Sequence, residues 1–215
     1  AELEKKIDGN VPVGCMGIGH TRWATHGGPS DLNSHPHTDC TGDFAVVHNG
    51  IIENYLALKE ELIEAGHVFK SETDTEVLPH LLETYYEGDF EAAVRKVLRR
   101  IEGSYSIVFM SKADPDTLIC TKQDNPLVIG LGEGENFIAS DIPAIIARTR
   151  RTYIINDGEV AVVKKDSVWI TNRRGEPITK KVFEVNWNAE AAEKGGYEHF
   201  MLKEIHEQPK AVRDT

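Results

Sequence analysis

"SYSIVFMSKADPDTLICTKQDNPLVIGLGEGENFIASD" runs from Ser104 to Asp141. Four apolar stretches recur in it: Ser104–Ser111, Thr117–Lys122, Pro126–Gly132 and Asn136–Asp141. Clusters of Asp, Asn, Pro and Gly separate them at hairpin spacing, so each reads as a strand. The links are short, which predicts antiparallel pairing. Several of the stretches are apolar on both faces, which predicts a sheet covered on both sides.

The same texture continues outward. Downstream, "RTYIIN" (Arg151–Asn156), "EVAVVKK" (Glu159–Lys165) and "SVWITN" (Ser167–Asn172) read as further strands. Upstream, "FAVVH" (Phe44–His48) reads as one more, ended by "NG". Helical patterns lie between. "IENYLALKEELIEAG" places Tyr55, Leu58 and Leu62 at helical spacing, with Gly66 as its stop. "DFEAAVRKVLRRIEG" repeats Phe90, Ala93, Val94, Val97, Leu98 and Ile101 behind an Asp89 cap. "SETDTEVLPHLLETYYEG" offers Thr73 with Glu76 as a capping box, and Pro79 predicts a distorted first turn. A strand, then helices, then many strands is an α+β order.

The composition fits this. The chain has 215 residues, 40% hydrophobic and 27% charged, enough for a sizeable core in one or two domains. A formal net charge of −11 disfavours nucleic acid as a partner. No apolar run approaches ~18 residues, so no membrane span is expected. The first residues lack a basic stretch followed by an apolar one, so no signal peptide is expected. Cys15, Cys40 and Cys120 are far apart and fit neither a CxxC zinc pattern nor a disulfide framework. Each reads as a small buried hydrophobe, and the scattered thiols suggest a reducing compartment, the cytoplasm.

The residues that could carry chemistry gather in "HTRWATHGGPSDLNSHPH", His20 to His37. A metal loop is one reading, but no HExxH and no cysteine at ligand spacing supports it. A ligand clamp is the other. Arg22 offers a planar fork for a carboxylate, and Thr25 a hydroxyl. In "HNG", the Asn49 amide and the Gly50 N–H are the parts of an oxyanion hole, or simply a tight turn. Asp74 in "SETDTE" could hold an ammonium group, or serve as a helix N-terminal acid. Together these parts suit an α-amino acid.

"GHTRWATHG", "HPH", "VVHNGIIENY", "SETDTEV", "PLVIGLGEGENFIASD" and "KEIHEQP" occur in this order over nearly the whole chain. The pattern resembles the glutaminase domain of the glutamine:fructose-6-phosphate aminotransferases, which are class II glutamine amidotransferases. That resemblance implies an N-terminal-nucleophile hydrolase fold, an αββα sandwich of antiparallel sheets, here lacking its first strand. It implies hydrolysis of L-glutamine, with the ammonia passed to a sugar isomerase domain that acts on fructose 6-phosphate. Residues 1–188 would form the glutaminase domain, and 189–215 the start of a linker toward that second domain. Arg22 would bind the glutamine α-carboxylate with help from Thr25, and His26 would shape the same loop. Trp23 would gate the ammonia channel, and His35 would lie on the loop that closes over glutamine. Asn49 and Gly50 would form the oxyanion hole, and Asp74 would bind the α-ammonium. The family implies no cofactor, no metal and a homodimeric parent protein.

The family nucleophile is an N-terminal cysteine whose own α-amine is the base, a group whose pKa of about 7.7–8.0 suits the task. This chain starts at Ala1, so it is expected to be inactive by itself. Cys15 is a poor substitute, because "CMGIG" is expected to run straight into the strand before "HTRWATHG". Two other readings stay open: the glutaminase domain of a different class II amidotransferase, and a non-catalytic amino-acid-binding module.

Overall fold

The computed structural model describes residues 2–7, 9, 13–22, 26–186 and 195–214. Trp23 and Thr25, two of the expected site residues, lie outside them.

The centre of the larger sheet is β3 (Gly103–Ser111). It pairs antiparallel with β2 (Phe44–Ile52) over its whole length, from Phe44↔Ser111 to Ile52↔Gly103. Its other neighbour is β4 (Leu118–Gln123). At one edge of this trio lies β1 (His37–Thr38), beside β2. The second sheet holds β5 (Val128–Leu131), β6 (Asn136–Ala139) and β7 (Arg151–Ile154). The larger sheet is completed beyond β4 by β8 (Val160–Val163), β9 (Val168–Thr171) and β10 (Pro177–Ile178), seven strands in all among the described residues. The last strand of the smaller sheet, β11 (Phe183–Glu184), pairs with β7. Every pairing between named strands is antiparallel, as the short links predicted.

Period-2 alternation sends one strand's side chains into two cores. Ile119 and Val162 face the helices, whereas Cys120 and Val163 face the second sheet. Ile107 and Phe109 join the helix-side core, and Val108 between them packs on the sheet-side core. This is why the strands read as apolar on both faces.

Three helices cover the outer face of the larger sheet: α2 (Tyr55–Glu64), α3 (Val77–Tyr85) and α4 (Phe90–Leu98), after a first helix α1 (Glu2–Ile7). Helix α4 buries Phe90, Ala93, Val94 and Val97 on one stripe, and Asp89 caps it by accepting from the Ala92 N–H at 2.9 Å. Burial of Phe90 or of either valine is worth roughly 1.5–3 kcal/mol against leaving it exposed. A 3-10 turn, Asp74–Glu76, precedes α3, and Pro79 is that helix's third residue. The helix thus starts late enough for Pro79 to fall within its first turn, where the missing N–H costs no intrahelical bond, and not deep inside as the sequence suggested. On the outer face of the smaller sheet, Gly130 admits Ile145 and Thr149, whose atoms a Cβ there would meet at 2.9 and 2.8 Å. Among the described residues, the expected outer helical layer is this short segment, opened by a 3-10 turn at Ile142–Ala144. A last helix, α5 (Phe200–Asp214), follows.

Several local expectations need correction. "HNG" does not end its strand: β2 runs on to Ile52, because Asn49 and Gly50 pair with Ser106 and Tyr105. Thr73 makes no capping bond. Its hydroxyl meets His37 Nε2 at 2.9 Å instead, and the Glu76 carboxylate accepts from the Lys70 and Ser71 N–H groups at 2.8 and 2.7 Å. Residues 13–22 form no strand. Of the cysteines only Cys120 is buried, and Cys15 and Cys40 are exposed.

Candidate active site

The C-terminal half of β2, the 3-10 turn before α3, and His20, Arg22, His26 and His35 surround a cavity of about 470 Å3. Arg22, His26, His35, Asn49, Gly50 and Asp74, all expected site residues, line it together.

The loop is folded around Arg22. Its guanidinium donates to the carbonyls of His26, Gly27 and Gly28 at 2.7, 3.1 and 3.2 Å. Its backbone is left-handed, with φ +46°, a conformation costing of order 1–3 kcal/mol that the surroundings must hold. The Arg22 N–H helps by donating to His20 Nδ1 at 2.9 Å. This fixes the His20 proton on Nε2, which donates to Asn49 Oδ1 at 2.7 Å. The Asn49 carbonyl oxygen is thereby turned to His20, and the amide nitrogen remains as the donor of that side chain.

Gly50 has φ +118° inside a strand. A Cβ at this position would lie 2.0 Å from the Ser104 carbonyl oxygen, so only glycine fits. Asp74 begins the 3-10 turn and is 3% exposed. Its Oδ2 accepts from the Ile52 N–H at 2.8 Å, and His26 Nδ1 and His48 Nδ1 stand 3.9 and 4.0 Å from its two oxygens. An acid and a guanidinium therefore face one cavity beside an amide donor. That is the complement of an amino acid carrying a further polar carbonyl.

The histidines cluster: between ring centroids His35 lies 4.4 Å from His20, tilted, and 5.0 Å from His37, edge-on, with His48 parallel to it at 6.5 Å. Burial, together with His20, His37, His48 and Arg22, pushes the His35 imidazole down to about 3. Burial pushes His48 down to about 4 against the pull of Asp74. The rings are neutral when folded and ordinary, near 6.5, when unfolded. The unfolded chain thus binds more protons below that value, and stability falls as pH falls. The urea midpoint is expected to drop between about pH 7 and about pH 5, and His35→Gln to flatten that dependence. Equal slopes in the two proteins would refute the assignment.

Asn33 and Glu72 were missed in the sequence. Asn33 Oδ1 accepts from the Glu72 N–H at 3.0 Å, and its Nδ2 donates to Gly28 O at 3.0 Å and Glu72 Oε2 at 3.1 Å. This clasp ties the Arg22 loop to the turn that carries Asp74. No motif marks it, because the two residues meet only in the fold. A second cavity of about 700 Å3 lies between the sheets, with Val47 and Val108 on one wall and Leu127 and Ile138 on the other. The two cavities share His20, Arg22, His48 and Asn49. No cysteine lines either one.

Residues 20–147, which hold the whole cavity wall, match the family model described as a glutamine amidotransferase domain. The chain belongs to that family. It is 59% identical over 99% of its length to a glutamine–fructose-6-phosphate aminotransferase (isomerizing) of Caldanaerobacter subterraneus subsp. tengcongensis, and covers 35% of that protein. Against the enzyme of the same name from Clostridium tetani the identity is 54%, again with 35% of the relative covered. The chain thus spans about a third of the length of these relatives. Among solved structures, a glutamine phosphoribosylpyrophosphate amidotransferase from B. subtilis aligns with TM-score 0.60 and 25% identity, over 72% of this chain and 34% of that one. A structure described as the allosteric regulatory enzyme of purine biosynthesis aligns with TM-score 0.62, 25% identity and the same coverage. The fold of this amidotransferase domain is the N-terminal-nucleophile hydrolase sandwich. No helix among its described residues is long and apolar enough to cross a membrane.

Proposed function

We propose that this amidotransferase domain hydrolyses the side-chain amide of L-glutamine and supplies the ammonia for converting fructose 6-phosphate to glucosamine 6-phosphate. The carrying observation is that Arg22, Asp74, Asn49 and Gly50 line one cavity. The names of the relatives at 59% and 54% identity support the sugar substrate. In this reading Asp74 takes the α-ammonium, and the N–H groups of Arg22 not given to loop carbonyls take the α-carboxylate. The Asn49 amide and the Gly50 N–H take the oxyanion that forms when the amide carbon is attacked. His26 and His35 shape and close the loop, Thr25 assists Arg22, and Trp23 gates the ammonia path.

The nucleophile is an N-terminal cysteine on a segment outside these 215 residues. That segment enters the cavity between the sheets, whose shared wall at Asn49 gives it reach to the substrate. The cysteine α-amine takes the thiol proton and passes it to the amide nitrogen, so attack by sulfur expels ammonia and leaves a γ-thioester, which water then hydrolyses to glutamate with return of the thiol. Residues 1–188 form the glutaminase domain, and 189–215 lead to a sugar isomerase domain. The exposed Met201, Ile205 and Val212 of α5 support that continuation. The whole protein is a cytoplasmic homodimer.

The test joins the chain to an N-terminal segment that begins with cysteine. Glutamine hydrolysis and covalent labelling by an electrophilic glutamine analogue are expected, both lost when that cysteine becomes alanine. A folded, extended protein that neither hydrolyses glutamine nor takes the label would overturn the reading.

A further inference from the structure

Away from the cavity, four potential ligands converge from three elements. Cys40 comes from the turn between β1 and β2, His67 from the loop after α2, and His80 and Glu83 from α3. Cys40 Sγ lies 3.6 Å from His80 Nδ1 and 3.8 Å from His67 Nδ1. Glu83 Oε2 lies 3.0 Å from His67 Nδ1 and 3.5 Å from His80 Nδ1. All four atoms stand within 4.8 Å of one another. Ligand atoms around a tetrahedral zinc ion stand about 3.3–3.6 Å apart, given its bond lengths.

We propose that Cys40, His67, His80 and Glu83 form a tetrahedral zinc site that staples the β1–β2 turn to helix α3.

Each feature around the four atoms suits ligation. Both rings aim Nδ1 at the same sulfur and the same oxygen, more than two neutral imidazoles need for hydrogen bonding. Their far nitrogens face orienting groups: His67 Nε2 meets Thr84 Oγ1 at 3.0 Å, and His80 Nε2 stands 3.8 Å from Glu76 Oε1. His80 Nε2 is buried and has no hydrogen bond among the described residues, so that carboxylate is its nearest orienting partner. Such an outer carboxylate or hydroxyl fixes the tautomer of a metal-bound histidine. The Val68 N–H donates to Cys40 Sγ at 3.4 Å, which holds the sulfur in place. The turn is itself rigid, since Asp39 accepts from the N–H groups of Thr41 and Phe44 at 3.0 and 2.7 Å. One thiolate, two imidazoles and one carboxylate make a donor set for zinc rather than magnesium or calcium. Cys40 is exposed and gives the ion a way in.

The staple also reaches toward the cavity. Glu76 Oε2 accepts from Ser71 Oγ at 2.6 Å, Ser71 Oγ meets Thr73 Oγ1 at 2.9 Å, and Thr73 Oγ1 meets His37 Nε2 at 2.9 Å. The His37 ring meets the His35 ring edge-on, with centroids 5.0 Å apart.

The test uses untagged protein, stripped with a chelator and titrated with zinc and, separately, with cobalt(II). One equivalent is expected to bind, and cobalt to give a thiolate charge-transfer band with the intense visible absorption of tetrahedral coordination. Cys40→Ser should remove the band and weaken zinc by more than about a hundredfold, whereas Cys15→Ser should change neither. Thr84→Val, which leaves the ligands in place, should weaken zinc about tenfold. No binding would overturn the proposal. So would binding with no thiolate band, as adventitious capture by the His20–His37 cluster would give, or binding that survives Cys40→Ser. Circular dichroism separates these results from misfolding.

Discussion

Gly50→Ala is expected to lower the stability of the domain by more than about 3 kcal/mol and to abolish glutamine hydrolysis in the cysteine-extended protein. Two costs add. The first is conformational: φ is +118°, which an alanine tolerates poorly. The second is steric: the new Cβ would sit 2.0 Å from Ser104 O and 2.5 Å from Asn125 Nδ2, and backbone cannot yield as a side-chain tip can. Relief requires breaking β2 from β3 at Gly50↔Tyr105, and this swings the neighbouring Asn49 amide away from the cavity. A urea denaturation curve close to that of the parent protein would show that the strand accommodates the methyl and that the close approach is not needed.

Arg22→Lys is the second large effect. Glutamine affinity is expected to fall by at least about a hundredfold, or ~2.7 kcal/mol, because one ammonium replaces both a carboxylate fork and three loop contacts. In the structure the guanidinium ties down the carbonyls of three successive residues, His26, Gly27 and Gly28. A lysine ammonium can satisfy at most part of that set and still reach a carboxylate. Global stability should change little, since the loop lies at the surface and both cores are untouched. A calorimetric titration with unchanged affinity would remove Arg22 from the binding role.

The long strands were legible because their apolar runs and turn clusters carry a local signal. Ile107, Phe109 and Val108 announced a two-faced sheet before any partner was known. The two-residue strands β1, β10 and β11 were not legible, since two residues show no period. "HNG" misled for a physical reason: Asn-Gly is a strong turn signal, and only the Ser104 carbonyl beside Gly50 explains a glycine inside a strand. That Arg22, Asn49, Gly50 and Asp74 belong together was legible through their chemistry and their family resemblance, and they do line one cavity. The Asn33–Glu72 clasp was not, and neither was the four-ligand cluster. Spacing searches read along the chain, and Cys40, His67 and His80 sit on three separate elements. Only the His80–Glu83 pair, on one face of α3, left a local trace.

The central claim is that one cavity reads both ends of glutamine and its side-chain amide. Titration of L-glutamine into isotope-labelled protein, followed at the Asn49 side-chain amide and at the backbone amides of Gly50 and Ile52, tests it without any nucleophile. The account predicts saturable shifts at all three with L-glutamine and none with D-glutamine, lost in Arg22→Lys and in Asp74→Asn. Absence of saturable shifts in the folded protein, or shifts that persist in both variants, would contradict it.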